Sequence, residues 1–399
     1  MPEVGPRTVV VTGVGAVTPV GIGAFASFDG LFHSEPAVIL ADGPDGTVFQ
    51  GRVRQFAAQE MLDDRSVREN ERWVVLGLVA AKEAVACAGD VPLDNERTMV
   101  SVGTSFGGVV GMVGAKERRV SPKFVPQVIP SALATRLAIH YGVIGPCMTY
   151  LGACAAGAQA VGEGMQAIQE GRVDTVLAGG ADSLFVSAIV SSLYAAGAVA
   201  RGDHSYRGPF DRGRSGMALA EGAGFVVLER YETAKARGAE ILATITGYGC
   251  GNDAHHVTAP DPNGAGAERV MRMALSQAHL GAKDIAWVNA HATGTRIGDV
   301  AELRALDRVF DATGRVDVTS LKGVMGHSLG ASGAIEAVMS VLALQRGSIP
   351  GTVALGEPES AANLHLLADP VKDWEPGPIL SNSFGFGGHN ASLVIEPVR

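Results

Sequence analysis

The sequence predicts an α/β protein in which βαβ units are repeated in two related halves. Three observations carry that expectation. Apolar β-type runs that end in glycine turns recur along the 399 residues, at 7–19, 98–108, 174–183, 224–230, 241–251 and 285–295. Alanine-rich helical patterns lie between many of them, at 72–89, 155–171, 265–280, 299–310 and 332–347. Strands alternating with helices favour parallel strands covered by helices. The third observation is an internal repeat. AAGAQAVGEGMQAIQEG (155–171) aligns without gaps on ASGAIEAVMSVLALQRG (331–347), and VVVTGVG (9–15) resembles ATITGYG (243–249). The two offsets, 176 and 234 residues, differ, so the first copy carries an insertion. The expected halves are 1–240 and 241–399. The expected insertion or cap is 109–150, where KERRVSPKFVPQVIP has no clean period.

Composition agrees with this frame. Glycine contributes 53 residues, apolar residues 47% and aromatics only 6%. The core must therefore be built from Ala, Val, Leu and Ile in closely packed layers. A net charge of −9, with 25 Arg and 7 Lys, argues against nucleic acid and anionic membrane as partners. Four cysteines at irregular spacing (Cys87, Cys147, Cys154, Cys250) give neither a disulfide framework nor a metal pair. Cys87, Cys147 and Cys250 read as packing residues. The N-terminus lacks the features of a secretory signal, and no apolar run approaches the ~18 residues of a membrane span. A cytoplasmic setting is expected.

Three stretches carry chemistry. In YLGACAAGAQAVGEG (150–164) a single thiol sits among very small neighbours. Small residues permit a tight turn into a helix, leave backbone N–H groups free, and give the sulfur little to pack against. A helix start favours thiolate. Cys154 therefore reads as a nucleophile. In VNAHATGTRIGDVAEL (288–303) a buried run ends at His291, where α/β proteins bind ligands. Thr293 and Thr295 follow in the turn, and Asp299 and Glu302 fall on the first turn of the next helix, where carboxylates suit the dipole. In TSLKGVMGHSLGASGAIEAV (319–338), Lys322 and His327 flank a glycine turn ahead of the second repeat helix. A buried lysine needs a carboxylate, and Glu302 or Asp299 is placed to supply it. The pair His255–His256 lacks a third ligand and reads as loop, so no metal is expected. No phosphate-binding glycine motif is complete.

Together these segments resemble the elongating β-ketoacyl-acyl carrier protein synthases (ketosynthases) of the thiolase-like superfamily. TGVGAVTPVG, GACAAG, FDRGRSGMALAEGAGFVVLE, VNAHATGT, SLKGVMGHSLGASGAIEA and NSFGFGGHNASL occur in the family's order from residue 8 to residue 394. The resemblance implies a thiolase-like five-layer αβαβα sandwich of two similar halves, and a dimer. It implies a Cys154–His291–His327 site, an oxyanion hole from the backbone N–H groups of Cys154 and Phe386, and an ion pair of Lys322 with Glu302. Thr293 and Thr295 would hold a phosphopantetheine arm supplied by an acyl carrier protein, with no metal and no other cofactor bound to this chain. The implied reaction moves an acyl group onto Cys154 and condenses it with a decarboxylated malonyl unit, in fatty-acid or type II polyketide or polyene elongation.

Departures from the family pattern refine the expectation. His389 stands where many relatives have Thr, beside the Phe386 turn. Phe106 in GTSFGG stands at the family's acyl pocket, so a short, medium or rigid unsaturated acyl chain is expected. Docking of an acidic carrier on a net negative chain requires a local basic patch; Arg65, Arg68, Arg118, Arg119, Lys123 and Arg212 are the candidates. Two other readings compete. One is a non-catalytic chain-length factor, partner of a ketosynthase heterodimer, which usually lacks the cysteine. The other is a thiolase-type enzyme on coenzyme A esters, which needs a second cysteine absent here.

Overall fold

The computed structural model describes residues 8–114, 122–202, 205–311 and 315–398. The first half builds strands β1 (Val9–Thr18), β2 (Thr98–Gly103), β3 (Cys147–Tyr150), β4 (Thr175–Asp182) and β5 (Gly222–Arg230). The second builds β6 (Ala243–Asn252), β7 (Trp287–Asn289), β8 (Val316–Thr319), β9 (Leu364–Leu366), β10 (Ile379–Gly385) and β11 (His389–Glu396). Their spatial orders are β1-β5-β4-β2-β3 and β6-β11-β10-β7-β8-β9, and the two sheets are joined edge to edge by a short antiparallel pairing of β1 with β6. Apart from the added edge strand β9, this is one topology used twice. The repeat in the sequence is a repeat in space. In each half one strand, β5 or β11, is antiparallel to both neighbours, while β4-β2-β3 and β10-β7-β8 pair in parallel.

Helices α1 (Arg72–Ala88) and α2 (Ala132–Tyr141) cover the outer face of the first sheet, and α4 (Ala265–Gln277) and α5 (Arg296–Val309) that of the second. Between the sheets lie α3 (Ala156–Gln169) and α6 (Ser332–Arg346). These are the repeat helices. A helix enclosed on all sides must be apolar all round, and every residue of α6 from Ser332 to Leu344 is buried. Alanine and glycine let the two cross closely. A Cβ on Gly157 would come within 2.7 Å of the Ala334 nitrogen, and one on Gly333 within 2.7 Å of the Ala158 nitrogen. The contacts are reciprocal because the sequence offset is the same. We expect Gly157→Ala to lower stability by ~1–3 kcal/mol through overpacking, read as a drop in thermal midpoint; an unchanged midpoint would mean the crossing has slack.

Three expectations need correction. The cap is shorter than 109–150: α2 and β3 are core elements, which leaves Val109–Gly114 and Phe124–Val128 as its short helices. β3 is a four-residue edge strand, too brief to show a period. Cys87 and Cys147 are exposed rather than packed inside, and only Cys250 is partly buried. Parallel pairing holds for only part of each sheet. Among the described residues no helix is long and apolar enough to cross a membrane.

Candidate active site

The repeat helices also position the chemistry. Each is entered through a 3₁₀ turn, Ala153–Ala155 before α3 and Leu329–Ala331 before α6. Each turn opens on a residue forced to positive φ, Ala153 at 48° and Leu329 at 51°. Cys154 and Gly330 are therefore equivalent places, and they differ in what meets them. The Gly330 N–H donates to Asp182 Oδ2 at 2.8 Å. The N–H groups of Cys154 and Phe386 instead point at the Cys154 sulfur. One turn is closed by a carboxylate. Its twin carries a thiol at the equivalent place, with two N–H groups directed toward the sulfur.

Cys154 is 7% exposed and lines one cavity with His291 and His327. The cavity measures about 80 Å³. Burial pushes the thiol up to about 12; nearby Lys322 and the two N–H groups pull the other way without winning, and Asp182 adds to the rise. Burial thus acts against the thiolate that the helix start favours. We therefore expect Cys154 alkylation, followed site by site by mass spectrometry, to rise about tenfold per pH unit from pH 6 to 9. A plateau below pH 8 would show a preformed thiolate.

The two imidazoles come from the second half. His291 follows β7 by two residues and His327 lies between Met325 and the Leu329 turn. Their rings meet edge to face, centroids 5.2 Å apart at 82°, and Phe384 packs on His291 at 5.9 Å. Burial first, then the neighbouring Lys322 charge, holds both well below the usual histidine range, so both are neutral. Nδ1 of His327 lies 2.9 Å from Ser332 Oγ, while among the described residues its buried Nε2 has no partner, and neither has Nδ1 of His291.

Carboxylates hold the loop that carries His291. Glu302 accepts from the N–H groups of His291 (2.9 Å) and Ala292 (2.7 Å). Asp299 accepts from Thr293, Gly294 and Phe210, and pairs with buried Arg214 at 3.2 Å. Gly294 takes φ +84°, a conformation only glycine adopts cheaply. Thr293 and Thr295 face the same cavity with their hydroxyls 3.1 Å apart. The expected Lys322–Glu302 pair is not formed. Lys322 pairs with Glu336 on α6, and both are buried. Glu302 is already used by the backbone, and burial raises it to about 7. Glu336 was missed, although it is the only charged residue in the wholly buried run of α6. Ser332, Asp182 and Arg214 were missed as well. Only Arg214 carried a signal, an arginine inside a segment of small residues.

Other expected site residues fall elsewhere. Phe386 lines the cavity. His389 does not; its ring lies beside Gly387. Phe106 is 52% exposed and also absent from the cavity wall. It lies just past β2, in a segment whose direction sequence position does not reveal. The apolar side of Cys154 is instead formed by Leu184, Val190, Val199, Met217 and Leu329. The cavity's other side includes Asp253, Thr258, Pro260 and Asp261 of one loop. Among the carrier candidates, Arg65 and Lys123 converge on Glu69, at 3.2 and 2.6 Å. Arg68 is exposed nearby. Arg212 stands apart, bonded to Ser360. Arg118 and Arg119 lie outside the described residues.

A doubled α/β fold thus places a thiol from one half and two imidazoles from the other on the wall of one cavity. Comparison with known proteins gives the family. Residues 6–234 match the profile of the beta-ketoacyl synthase N-terminal domain and residues 242–355 that of its C-terminal domain. The 3-oxoacyl-[acyl-carrier-protein] synthase 2 of Staphylococcus aureus strain COL is 34% identical, covering 98% of both chains. The enzyme of that name from Rhizobium meliloti strain 1021 is 36% identical over 98% of this chain and 99% of its own. Among solved structures, the ishigamide ketosynthase/chain length factor superposes with a TM-score of 0.90 at 29% identity, covering 99% of this chain and 100% of its own. A type II polyketide ketosynthase bound to a hexaketide, in complex with its acyl-carrier protein, gives 0.88 at 27% over the same shares. The chain belongs to the beta-ketoacyl synthase family. Its activity is the acyl transfer of chain elongation, that of a β-ketoacyl-acyl carrier protein synthase.

Proposed function

We propose that Cys154 carries the growing acyl chain while His291 and His327 drive decarboxylation of the extender. The observation that carries this reading is the single cavity shared by the three side chains. The Cys154 sulfur gives up its proton as it attacks the incoming thioester carbonyl, and the tetrahedral oxygen rests between the N–H groups of Cys154 and Phe386. Collapse breaks the bond to the donor's sulfur, which departs with that proton as a free thiol and leaves an acyl-cysteine. Malonyl thioester then replaces the donor. Hydrogen bonds from the imidazoles to its carbonyl oxygen stabilise the enolate left as CO₂ departs. The enolate carbon attacks the acyl-cysteine, the same pair of N–H groups holds the second oxyanion, and loss of the Cys154 thiolate yields a β-ketoacyl thioester two carbons longer. Both imidazoles are neutral, as a hydrogen-bond donor to an enolate must be if it is not to protonate the carbon.

In this reading the arm of an acyl carrier protein enters past Thr293 and Thr295, and no metal or resident organic cofactor takes part. Arg65, Arg68 and Lys123 form the docking patch near Glu69, and Arg212 is a separate contact. The partner subunit covers the outer edge at β3. Met148 and Leu151 are exposed there, and so are Phe106, Val110 and Met112 on the segment after the adjacent strand. A second chain of the same fold, either a copy or a chain-length factor, fits an open sheet edge with apolar flanks. Purified enzyme, given malonyl-carrier protein and a panel of acyl-carrier proteins, should form β-ketoacyl products. Native mass spectrometry of the same sample shows whether the active species is a homodimer or needs a second gene product. Absence of any extended product, alone or with such a partner, would sink the reading.

A further inference from the structure

Three separate segments build part of the apolar wall beside Cys154, and one carboxylate ties them together. Asp182 is the last residue of β4 and is fully buried. Its Oδ1 accepts from the Thr104 hydroxyl at 2.7 Å. Its Oδ2 accepts from the N–H groups of Ser105 and Gly330, each at 2.8 Å. Thr104 Oγ1 in turn accepts from the Gly107 N–H at 3.1 Å. A Cβ on Gly330 would fall 2.6 Å from Oδ2 and 2.5 Å from the Ser105 nitrogen, so the segments meet with no spare room. Each segment delivers a side chain to the cluster that contains the sulfur: Leu184 just past Asp182, Leu329 directly before Gly330, and Val109 just past Gly107. Leu329 holds φ 51°, a costly conformation for leucine that needs such a tie. A satisfied buried network rigidifies what it joins, and removing one member strands buried donors. His327 does not share this dependence. Its N–H donates to the Ala218 carbonyl at 2.8 Å and its carbonyl accepts from Ala220 at 2.9 Å, so a different segment pins the backbone that carries the ring.

We propose that Asp182 is a positioning residue for acyl-chain selection: by joining three wall segments it sets the shape against which the alkyl tail of the acyl thioester is discriminated. It touches no substrate and acts through Leu184, Leu329 and Val109. The role in selection rests on the elongation reading above; the tie among the segments does not.

The test uses full-length enzyme with Asp182→Ala and Asp182→Asn, at a pH well above the value of about 6 to which burial raises this carboxyl. The Asn amide can still accept from both N–H groups and donate to the Thr104 hydroxyl. Cys154 acylation is followed with acyl-carrier proteins of increasing chain length, and extender decarboxylation with malonyl-carrier protein. One methylene in a shaped apolar pocket is worth roughly tenfold or more. In Asp182→Ala the ratio of kcat/KM between best and worst chain should therefore fall at least about tenfold, with decarboxylation within about twofold. Asp182→Asn should keep the wild-type profile within about threefold. Amide hydrogen exchange reads the tie without the reaction. In Asp182→Ala the peptides spanning 104–109 and 326–331 should both lose protection, while 265–277 keeps it. If Asp182→Ala does not fold, Thr104→Val, which frees one segment only, should flatten the profile about threefold and loosen 104–109 alone. An unchanged profile, an equal fall in decarboxylation and in acylation by every chain, an Asn variant as flat as Ala, or loosening of a single segment in Asp182→Ala would overturn the proposal. A wild type that accepts no acyl group sinks the elongation reading instead, and exchange still decides the tie.

Discussion

Cys154→Ala should abolish the covalent acyl-enzyme and lower elongation by at least about 10⁴-fold, as loss of a nucleophile that works within a unit does. Mass spectrometry with acyl-carrier protein should show an acyl adduct on the wild-type peptide spanning 150–164 and none on the variant. Decarboxylation of the extender should persist, because its donors are His291 and His327 and neither ring depends on the sulfur for a hydrogen bond. The variant thus separates two chemistries that share one cavity. Elongation at wild-type rate by Cys154→Ala would remove the nucleophile. So would an adduct on exposed Cys87 or Cys147 alone.

Lys322→Met should be the most destabilising change near the site. It leaves Glu336 buried without its cation, an imbalance worth ~3–5 kcal/mol. The sign with pH follows from Glu336. Burial already raises its carboxyl to about 7 in the presence of Lys322. A carboxyl raised on folding contributes stability fully below its unfolded value and loses it as pH rises through the folded one. Without Lys322 the folded value moves higher still. The variant should therefore be close to wild type near pH 5 and much less stable at pH 8. Lys322→Met combined with Glu336→Leu should regain most of the loss, since no lone charge remains. Thermal midpoints of the three proteins across pH 5–8 check this. A loss independent of pH, or a double variant no better than the single, would contradict the pairing.

Much of this was legible in the sequence, for physical reasons. Cys154 stood out because its neighbours in sequence are glycines and alanines, and the structure places it on one cavity with His291 and His327. The doubled fold announced itself because α3 and α6 cross reciprocally, which preserves small residues at matching positions. What stayed hidden depended on long-range placement. Glu302 was chosen for Lys322 because it stands in the loop-to-helix motif, but its oxygens are taken by the His291 and Ala292 N–H groups. The true partner stands on another helix. Phe106 was placed by its motif in an acyl pocket, yet its side chain is exposed and off the cavity wall. β3 gave no period because four residues on an edge need not alternate. Ser332 looked like any small residue of a tightly packed helix.

Sulfur and imidazoles arrive on different copies of one repeated topology, so they meet only along the seam where those copies touch. Small displacements of that seam would part the reacting groups while each copy kept its own core intact. Turnover should therefore be the first property lost when the helix crossing is loosened, well before either copy melts.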